Sequence, residues 1–182
     1  MSAPSSLPTI SSMEQDCIRT GFWVNQDLRD PDFECLDEIR TGQNSLMDYL
    51  HGWCTFFALA LYDLAGFPMY CLADEDEWEE RDCPVPAGKN FPLIHDFCVF
   101  GDIDDSALFV DCRGIIGSEQ AFLEEFRDFF TDYQLIRYTP EQVQNLKDFL
   151  WSPASGCDAD QYYLEACNYI KHHLQEYIPD QI

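Results

Sequence analysis

The pattern of apolar and polar positions predicts helices and strands from about residue 43 onward. A short helix should begin at residue 44 or 45 and end at Leu50, and a second should run from residue 53 or 54 to Gly66. A glycine with a proline shortly after it is a common helix end. Residues 1–42 mix Ser and Pro with short amphipathic pieces, so we expect a partly irregular N-terminal segment there.

Short apolar runs predict four strands, at residues 69–73, 93–100, 107–112 and 133–138. The second and third runs are joined by residues 101–106, whose Gly, Asp and Ser content is typical of a hairpin turn. We therefore expect these two strands to lie side by side and antiparallel.

Three more helices are expected in the second half of the chain. Ser118 is a suitable N-cap for a helix whose aromatic stripe should pack on the sheet as core, namely Phe122, Phe126, Phe129 and Phe130. Thr139, Pro140 and Gln142 are typical of a helix start, and that helix should reach about Leu150. After a linker at 151–157, Asp158 should begin a last helix with these residues on one face: Tyr163, Ala166, Cys167, Ile170 and Leu174.

The order of these elements predicts an α+β fold. We expect residues 43–182 to form a single domain, in which the helix that begins near Cys54 packs on an antiparallel sheet and further helices follow at the C-terminus. The chain of 182 residues is long enough for one sizeable core, and its 46% hydrophobic content excludes an acidic disordered chain.

The net charge of -24 limits the partners that the surface can bind. Binding to nucleic-acid phosphates needs Lys and Arg, of which there are only ten, and an acidic surface also repels anionic membranes. A basic protein or peptide is the partner that such a surface favours. No apolar run of about 18 residues and no signal-peptide pattern occurs, so we expect a cytoplasmic protein.

The nine cysteines do not have the spacing of a metal site. No Cys-x-x-Cys pair occurs, and the odd count favours reduced thiols over a disulfide framework. We therefore expect no metal and no cofactor, and expect most of these cysteines to be small buried apolar residues. Burial as a structural cysteine is also the alternative interpretation of Cys54.

Cys54 is the best candidate nucleophile because it lies at a predicted helix start, directly after Gly52 and Trp53. Free N–H groups and the helix dipole at such a position stabilise a thiolate. Gly52 allows close approach of a substrate carbonyl, and the Cys54 N–H is a candidate oxyanion donor.

His95 is the candidate general base, because a histidine inside an apolar strand needs a partner for its ring. The alternative is a core histidine bonded to a backbone carbonyl. Asp111 ends the next predicted strand, where it is suited to orient the His95 ring across the hairpin. Arg113 is the rival partner for this carboxylate.

These residues resemble those of the transglutaminase-like and papain-like cysteine enzymes, in which a Cys begins a buried helix and a His and an Asp follow on adjacent strands. The resemblance covers residues 44–116 and rests on the Gly-Trp-Cys start of an Ala/Leu-rich helix and on the Val-Asp-Cys-Arg-Gly run at 110–114. Small uncharacterised bacterial and phage proteins show a similar layout. The resemblance implies a papain-like core and a Cys54-His95-Asp111 triad that forms a thioester from an amide or ester.

The oxyanion donor departs from the papain pattern, which has a glutamine a few residues before the nucleophile. Asp48 and His51 occupy the nearby positions here, so Gln43, Asn44 or backbone N–H groups are the candidates for this role. With Gly52 and Trp53 they form the expected substrate-binding set. Whether the reaction is proteolysis, deamidation or acyl transfer stays open.

The acidic run at 74–82 lies between Cys54 and His95 in the chain and favours a cationic protein or peptide substrate. A different class of function also fits the charge. A non-enzymatic acidic protein could inhibit a partner by binding its basic surface or by imitating the charge of nucleic acid.

Overall fold

One antiparallel sheet of five strands organises the structure, a computed structural model that describes residues 36–74, 93–103 and 107–178. The strands are β1 (Met69–Asp74), β2 (Leu93–Phe100), β3 (Leu108–Asp111), β4 (Gly114–Ile116) and β5 (Tyr133–Arg137). Their order across the sheet is β4-β3-β2-β1-β5, and each neighbouring pair is antiparallel. The α+β class is therefore confirmed, as is the pairing of β2 with β3.

Around this sheet lie the α-helices α1 (Leu46–His51), α2 (Cys54–Ala65), α3 (Glu119–Leu123), α4 (Pro140–Leu150), α5 (Ala159–His172) and α6 (Leu174–Tyr177). Residues 36–38 are helical as well. The helix α3 continues as a 3₁₀ helix over Glu124–Phe129, and a second 3₁₀ turn covers Pro153–Ser155. In the part of the chain that the structure describes, none of these helices has the length and apolarity needed to cross a bilayer.

The helix starts and ends follow the capping residues in the sequence. Ser45 and Asp48 form a capping box at the start of α1, and Thr139 and Gln142 form one at α4. Gly66 ends α2 with φ 74°, a left-handed conformation that glycine adopts without a Cβ clash. These predicted helix boundaries are confirmed.

The core has two layers, one on each face of the sheet. On one face lies α2, which is buried from Phe56 to Leu61 between the sheet and α5 and receives a hydrogen bond from Cys98 Sγ at the Ala58 carbonyl (3.3 Å). On the other face Phe122 packs against Phe97, with ring centroids 4.4 Å apart. Full burial of one such ring contributes about 1.5–3 kcal/mol, so both layers stabilise the fold strongly.

Half of the predicted aromatic stripe lies outside the core. Phe122 and Phe126 are buried, but Phe130 is only partly covered and Phe129 is 56% exposed. The reason is the change to a 3₁₀ helix at Glu124, because three residues per turn rotate the later side chains away from the face that a 3.6-residue period predicts.

One smaller expectation was also wrong, and two features of the sheet were not predicted. Leu174 is exposed, because the last helix breaks at His173 and restarts as α6. Asp74, the first residue of the acidic run, is the buried last residue of β1. The short strand β4 is the second feature that was not predicted.

The hydrophobic core includes two residues of the expected N-terminal segment. Leu36 and Ile39, which belong to the expected irregular segment, are buried in the same core as the domain. Residues 1–35 lie outside the described residues, as do residues 75–82 of the acidic run and residues 104–106 of the hairpin turn.

Candidate active site

Cys54 is the first residue of α2, and the two N–H groups just before it are bonded to the end of α1. The N–H groups of Gly52 and Trp53 both donate to the Asp48 carbonyl, at 3.0 and 2.9 Å, and so close the end of α1. Trp53 provides no side-chain cap for α2. Within the described residues the Cys54 N–H has no acceptor, so it is the first helix donor that a ligand can use.

The register of the sheet directs one backbone donor at the Cys54 sulfur. Val99 donates to the Pro68 carbonyl (3.0 Å), so the odd-numbered residues of β2 make the hydrogen bonds to β1 and the even-numbered ones face β3. Pairing with β3 stops at Cys98. The Asp96 N–H therefore points beyond the end of β3, where Cys54 Sγ accepts it at 3.4 Å.

His95 and Asp111 form the contact that the hairpin predicted. The Nε2 atom of His95 lies 3.0 Å from Asp111 Oδ2, and both side chains are buried. Below them the His95 ring stacks on Phe126, with centroids 4.5 Å apart. The alternative of a histidine bonded only to a backbone carbonyl is therefore wrong.

Arg113 binds the same carboxylate, so the two partners considered for Asp111 are both present. Its Nη2 and Nε donate to Oδ2 at 2.6 and 2.9 Å, and Nε also lies 2.9 Å from Oδ1. The guanidinium is fully buried over the rings of Phe122 and Phe126. Burial alone would raise the pKa of Asp111, but Arg113 and the His95 hydrogen bond hold it well below its usual range.

The remaining ring nitrogen of His95 is unusual. Within the described residues Nδ1 is buried and has no hydrogen-bond partner. A buried nitrogen without a hydrogen-bond partner lowers the stability of the fold by about 1–3 kcal/mol, so such atoms are rare and are often found at functional sites. Burial also lowers the pKa of His95, Asp111 opposes this shift, and Arg113 and His51 add to it.

The structure brings Cys54 to the backbone of His95 but makes no bond between their side chains. Cys54 Sγ contacts the peptide N–H that directly follows His95, so the sulfur and Nδ1 flank one peptide group. Covalent geometry then limits their separation to about 10 Å. Cys54 itself is 8% exposed, which makes it the most accessible of the buried described cysteines.

The surroundings of Cys54 favour the thiol over the thiolate. Burial raises the pKa of Cys54 to about 12, and the Asp96 carboxylate adds to the rise, while the N–H groups of Asp96 and Thr55 oppose it. The expected stabilisation of a thiolate by the helix start is thus outweighed by burial. Proton removal from this sulfur needs a base.

A buried carboxylate next to Cys54 was not anticipated. Asp96 accepts hydrogen bonds from the Thr55 hydroxyl (2.5 Å) and the Tyr138 hydroxyl (2.9 Å) on the α2 side of the sheet. These contacts tie the first turn of α2 to β2. The alternation of side chains along β2 places Asp96 on the α2 face, opposite His95, and that alternation was the available sequence signal.

An ion pair near His95 was also not anticipated. His51, at the end of α1, binds Glu125 of the 3₁₀ helix with 2.9 Å between Nε2 and Oε1. The Glu125 side chain is only 4% exposed, whereas that of His51 is 34% exposed. The available signal was an acidic residue inside the aromatic stripe at 122–130.

Three residues of the expected substrate-binding set have other partners. Glu165 of α5 accepts hydrogen bonds from the backbone N–H groups of Gln43 and Asn44, at 3.1 and 3.2 Å, and from the Asn44 amide at 2.9 Å. Trp53 stacks on Tyr162 of α5 with centroids 4.1 Å apart. The oxyanion role of Gln43 or Asn44 thus stays a prediction. The Cys54 N–H is the other candidate donor, because it has no acceptor within the described residues.

The remaining described cysteines are free thiols that belong to no metal site. The six cysteines at 54, 71, 98, 112, 157 and 167 are free thiols, and among the described ranges no cluster of His, Cys, Asp or Glu has metal-site geometry. Cys17, Cys35 and Cys83 lie outside those ranges. Comparisons of this chain with protein-family models, with curated proteins and with solved structures found no match.

Proposed function

We propose that this protein is a cysteine-dependent acyl-transfer enzyme with a papain-like or transglutaminase-like core, acting on an amide or ester. Cys54 is the nucleophile, His95 the general base and Asp111 the group that orients the base. The observation that carries this proposal is the buried Nδ1 atom of His95, which has no partner among the described residues although the Cys54 sulfur lies against the adjoining peptide.

The hydrogen bonds around His95 support a base with its lone pair on Nδ1. Arg113 keeps Asp111 ionised, so the carboxylate accepts a hydrogen bond from His95 Nε2–H. A neutral imidazole with the proton on Nε2 has its acceptor at Nδ1. The lowered pKa of His95 keeps this neutral form at pH 7.

In this mechanism the resting pair is thiol and imidazole rather than a preformed ion pair. A rotamer change of Cys54 brings Sγ from the Asp96 N–H to Nδ1. His95 then takes the thiol proton as sulfur attacks the carbonyl carbon, and Asp111 stabilises the imidazolium that forms. The Cys54 N–H donates to the oxyanion, the leaving group departs with the proton from His95, and a thioester remains for water or an amine to resolve.

The experiment that tests this proposal is acylation by p-nitrophenyl acetate. We expect a burst of p-nitrophenol close to one equivalent and an acetyl group on the Cys54 peptide. The burst should be abolished in Cys54→Ser and retained in Cys157→Ser, which removes a partly exposed thiol away from the site. Equal acetylation of both cysteines, or a burst unaffected by Cys54→Ser, would remove the basis of the proposal.

A further inference from the structure

The pair of Glu125 and His51 contains a buried carboxylate whose only ion-pair partner within the described residues is a histidine. Burial raises the pKa of Glu125, and the hydrogen bond from His51 opposes the rise. Arg113 and Asp111 lie near enough to act on Glu125, but they are already bound to each other. The Arg113 charge also lowers the pKa of Glu125, but the group in direct contact with the carboxylate is a histidine, which is charged only when its ring is protonated.

The position of this pair links it to the candidate nucleophile. His51 precedes Cys54 by three residues, and its ring lies 6.5 Å from the ring of Phe126, the ring on which His95 stacks. The ring of Phe129 lies 6.2 Å from the His51 ring. Phe129 is exposed and the imidazole is partly exposed, so both reach the solvent.

We propose that Glu125 forms a cation subsite for the substrate, in which a primary ammonium or guanidinium group replaces His51 as the partner of the carboxylate. The faces of Phe126 and Phe129 flank the alkyl stem or the charge of that group. Since it names the substrate class of the same site, this subsite rests on the proposed function. The acidic surface attracts cations in general, so the test has to separate one carboxylate from the net charge.

The test measures how fast Cys54 reacts with two probes of similar size, 2-aminoethyl methanethiosulfonate and the neutral n-propyl methanethiosulfonate. The tryptic peptide of residues 41–81 contains both Cys54 and Cys71, so fragment-ion sequencing of this peptide gives the rate at Cys54 alone. The ratio of the two rates cancels changes in the intrinsic reactivity of the thiol, because both probes react with the same sulfur. A charge pair within several ångströms at a partly buried site should make the amine about tenfold faster.

Three variants identify the group responsible for this ratio. Glu125→Gln keeps a hydrogen bond to His51 and should reduce the ratio about tenfold, toward one. Glu124→Gln removes one negative charge from the same 3₁₀ helix, as Glu125→Gln does. The Glu124 carboxylate pairs with Arg127, so the ratio should stay at its wild-type value. His51→Ala removes the competing partner and should keep or increase the ratio. Equal effects of Glu125→Gln and Glu124→Gln, or loss of the ratio in His51→Ala, would overturn the subsite.

Failure of the subsite and failure of the enzyme give different results. A Glu125-dependent ratio without acetylation of Cys54 by p-nitrophenyl acetate would keep the cation site and reject the acyl-transfer activity. Acetylation of Cys54, together with a ratio of probe rates that is the same in the wild type and in Glu125→Gln, would reject the subsite and keep the acyl-transfer activity.

Discussion

Replacement of Arg113 by methionine tests the electrostatic arrangement behind His95. The guanidinium is fully buried, makes a 2.6 Å bond to Asp111 and lies over two phenylalanine rings. Methionine retains an apolar chain but removes the guanidinium, which leaves the Asp111 charge with only the His95 ring and the backbone N–H of residue 113. Removing one partner of a buried ion pair costs about 3–5 kcal/mol, which is a large part of the 5–15 kcal/mol that stabilises a typical domain.

Urea unfolding followed by tryptophan fluorescence measures this loss. With a slope of roughly 2–3 kcal/mol per molar, the midpoint of Arg113→Met should fall by about 1–2 M. Arg127→Met is the matched control, because this guanidinium pairs with Glu124 but is 66% exposed. An exposed pair is worth at most about 1 kcal/mol, so the control midpoint should move by less than about 0.5 M.

The pH dependence separates a lost charge partner from lost packing. In the wild type the lowered pKa of Asp111 contributes stability above the pKa of the unfolded carboxyl, and this stability is lost as pH falls through the folded pKa. Without Arg113, burial raises the pKa of Asp111, so the carboxyl accepts a proton in mild acid and the buried charge disappears. The stability deficit of Arg113→Met should therefore be smaller at pH 5 than at pH 7.5. A deficit below 1 kcal/mol, or one independent of pH, would refute the reasoning.

Three other expected results follow from the site and the fold. Asp96→Asn removes the negative charge that helps to raise the pKa of the Cys54 thiol. Iodoacetamide should therefore alkylate Cys54 several-fold faster at pH 7, while Cys157 reacts at its wild-type rate. An unchanged Cys54 rate would contradict this role of Asp96. The acetyl burst with p-nitrophenyl acetate requires neutral His95, whose pKa is lowered by burial, so its rate should be constant from pH 7 to 8 and should fall only below about pH 6.5. A fall that begins above pH 7 would argue against His95 as the base. Thr139→Ala removes the side-chain cap of α4 and should cost about 1 kcal/mol in urea unfolding, whereas replacing exposed Glu141 by Gln should cost less than half of that.

The sequence was sufficient to place Cys54, His95 and Asp111 on their elements. The start of α2 follows from the break at Gly52 and the apolar run after it, and the approach of His95 to Asp111 follows from a hairpin between two apolar strands. Local patterns of this kind depend only on nearby residues, so they can be read without coordinates.

Other parts of the site depend on contacts between distant residues. The bond from the Asp96 N–H to Cys54 Sγ exists because pairing with β3 stops at Cys98, and no composition pattern fixes that point. The contact between His51 and Glu125 depends on the change from α-helix to 3₁₀ helix at Glu124, which also exposes Phe129. The raised pKa of Cys54 also depends on distant residues. Burial of α2 between the sheet and α5 raises this pKa more than the helix start lowers it, and a local sequence pattern does not show how deeply a helix is buried.

The central claim is that His95 removes the proton from Cys54, and the pH dependence of Cys54 alkylation by iodoacetamide tests it most directly. In the wild type the rate should follow the ionisation of His95 and reach a plateau by about pH 7, because the base, not free thiolate, then limits the reaction. In His95→Gln the rate should be at least tenfold lower at pH 7 and should rise toward the thiol pKa of about 12. A wild-type rate that rises tenfold per pH unit beyond pH 9, and equals that of His95→Gln throughout, would contradict the claim.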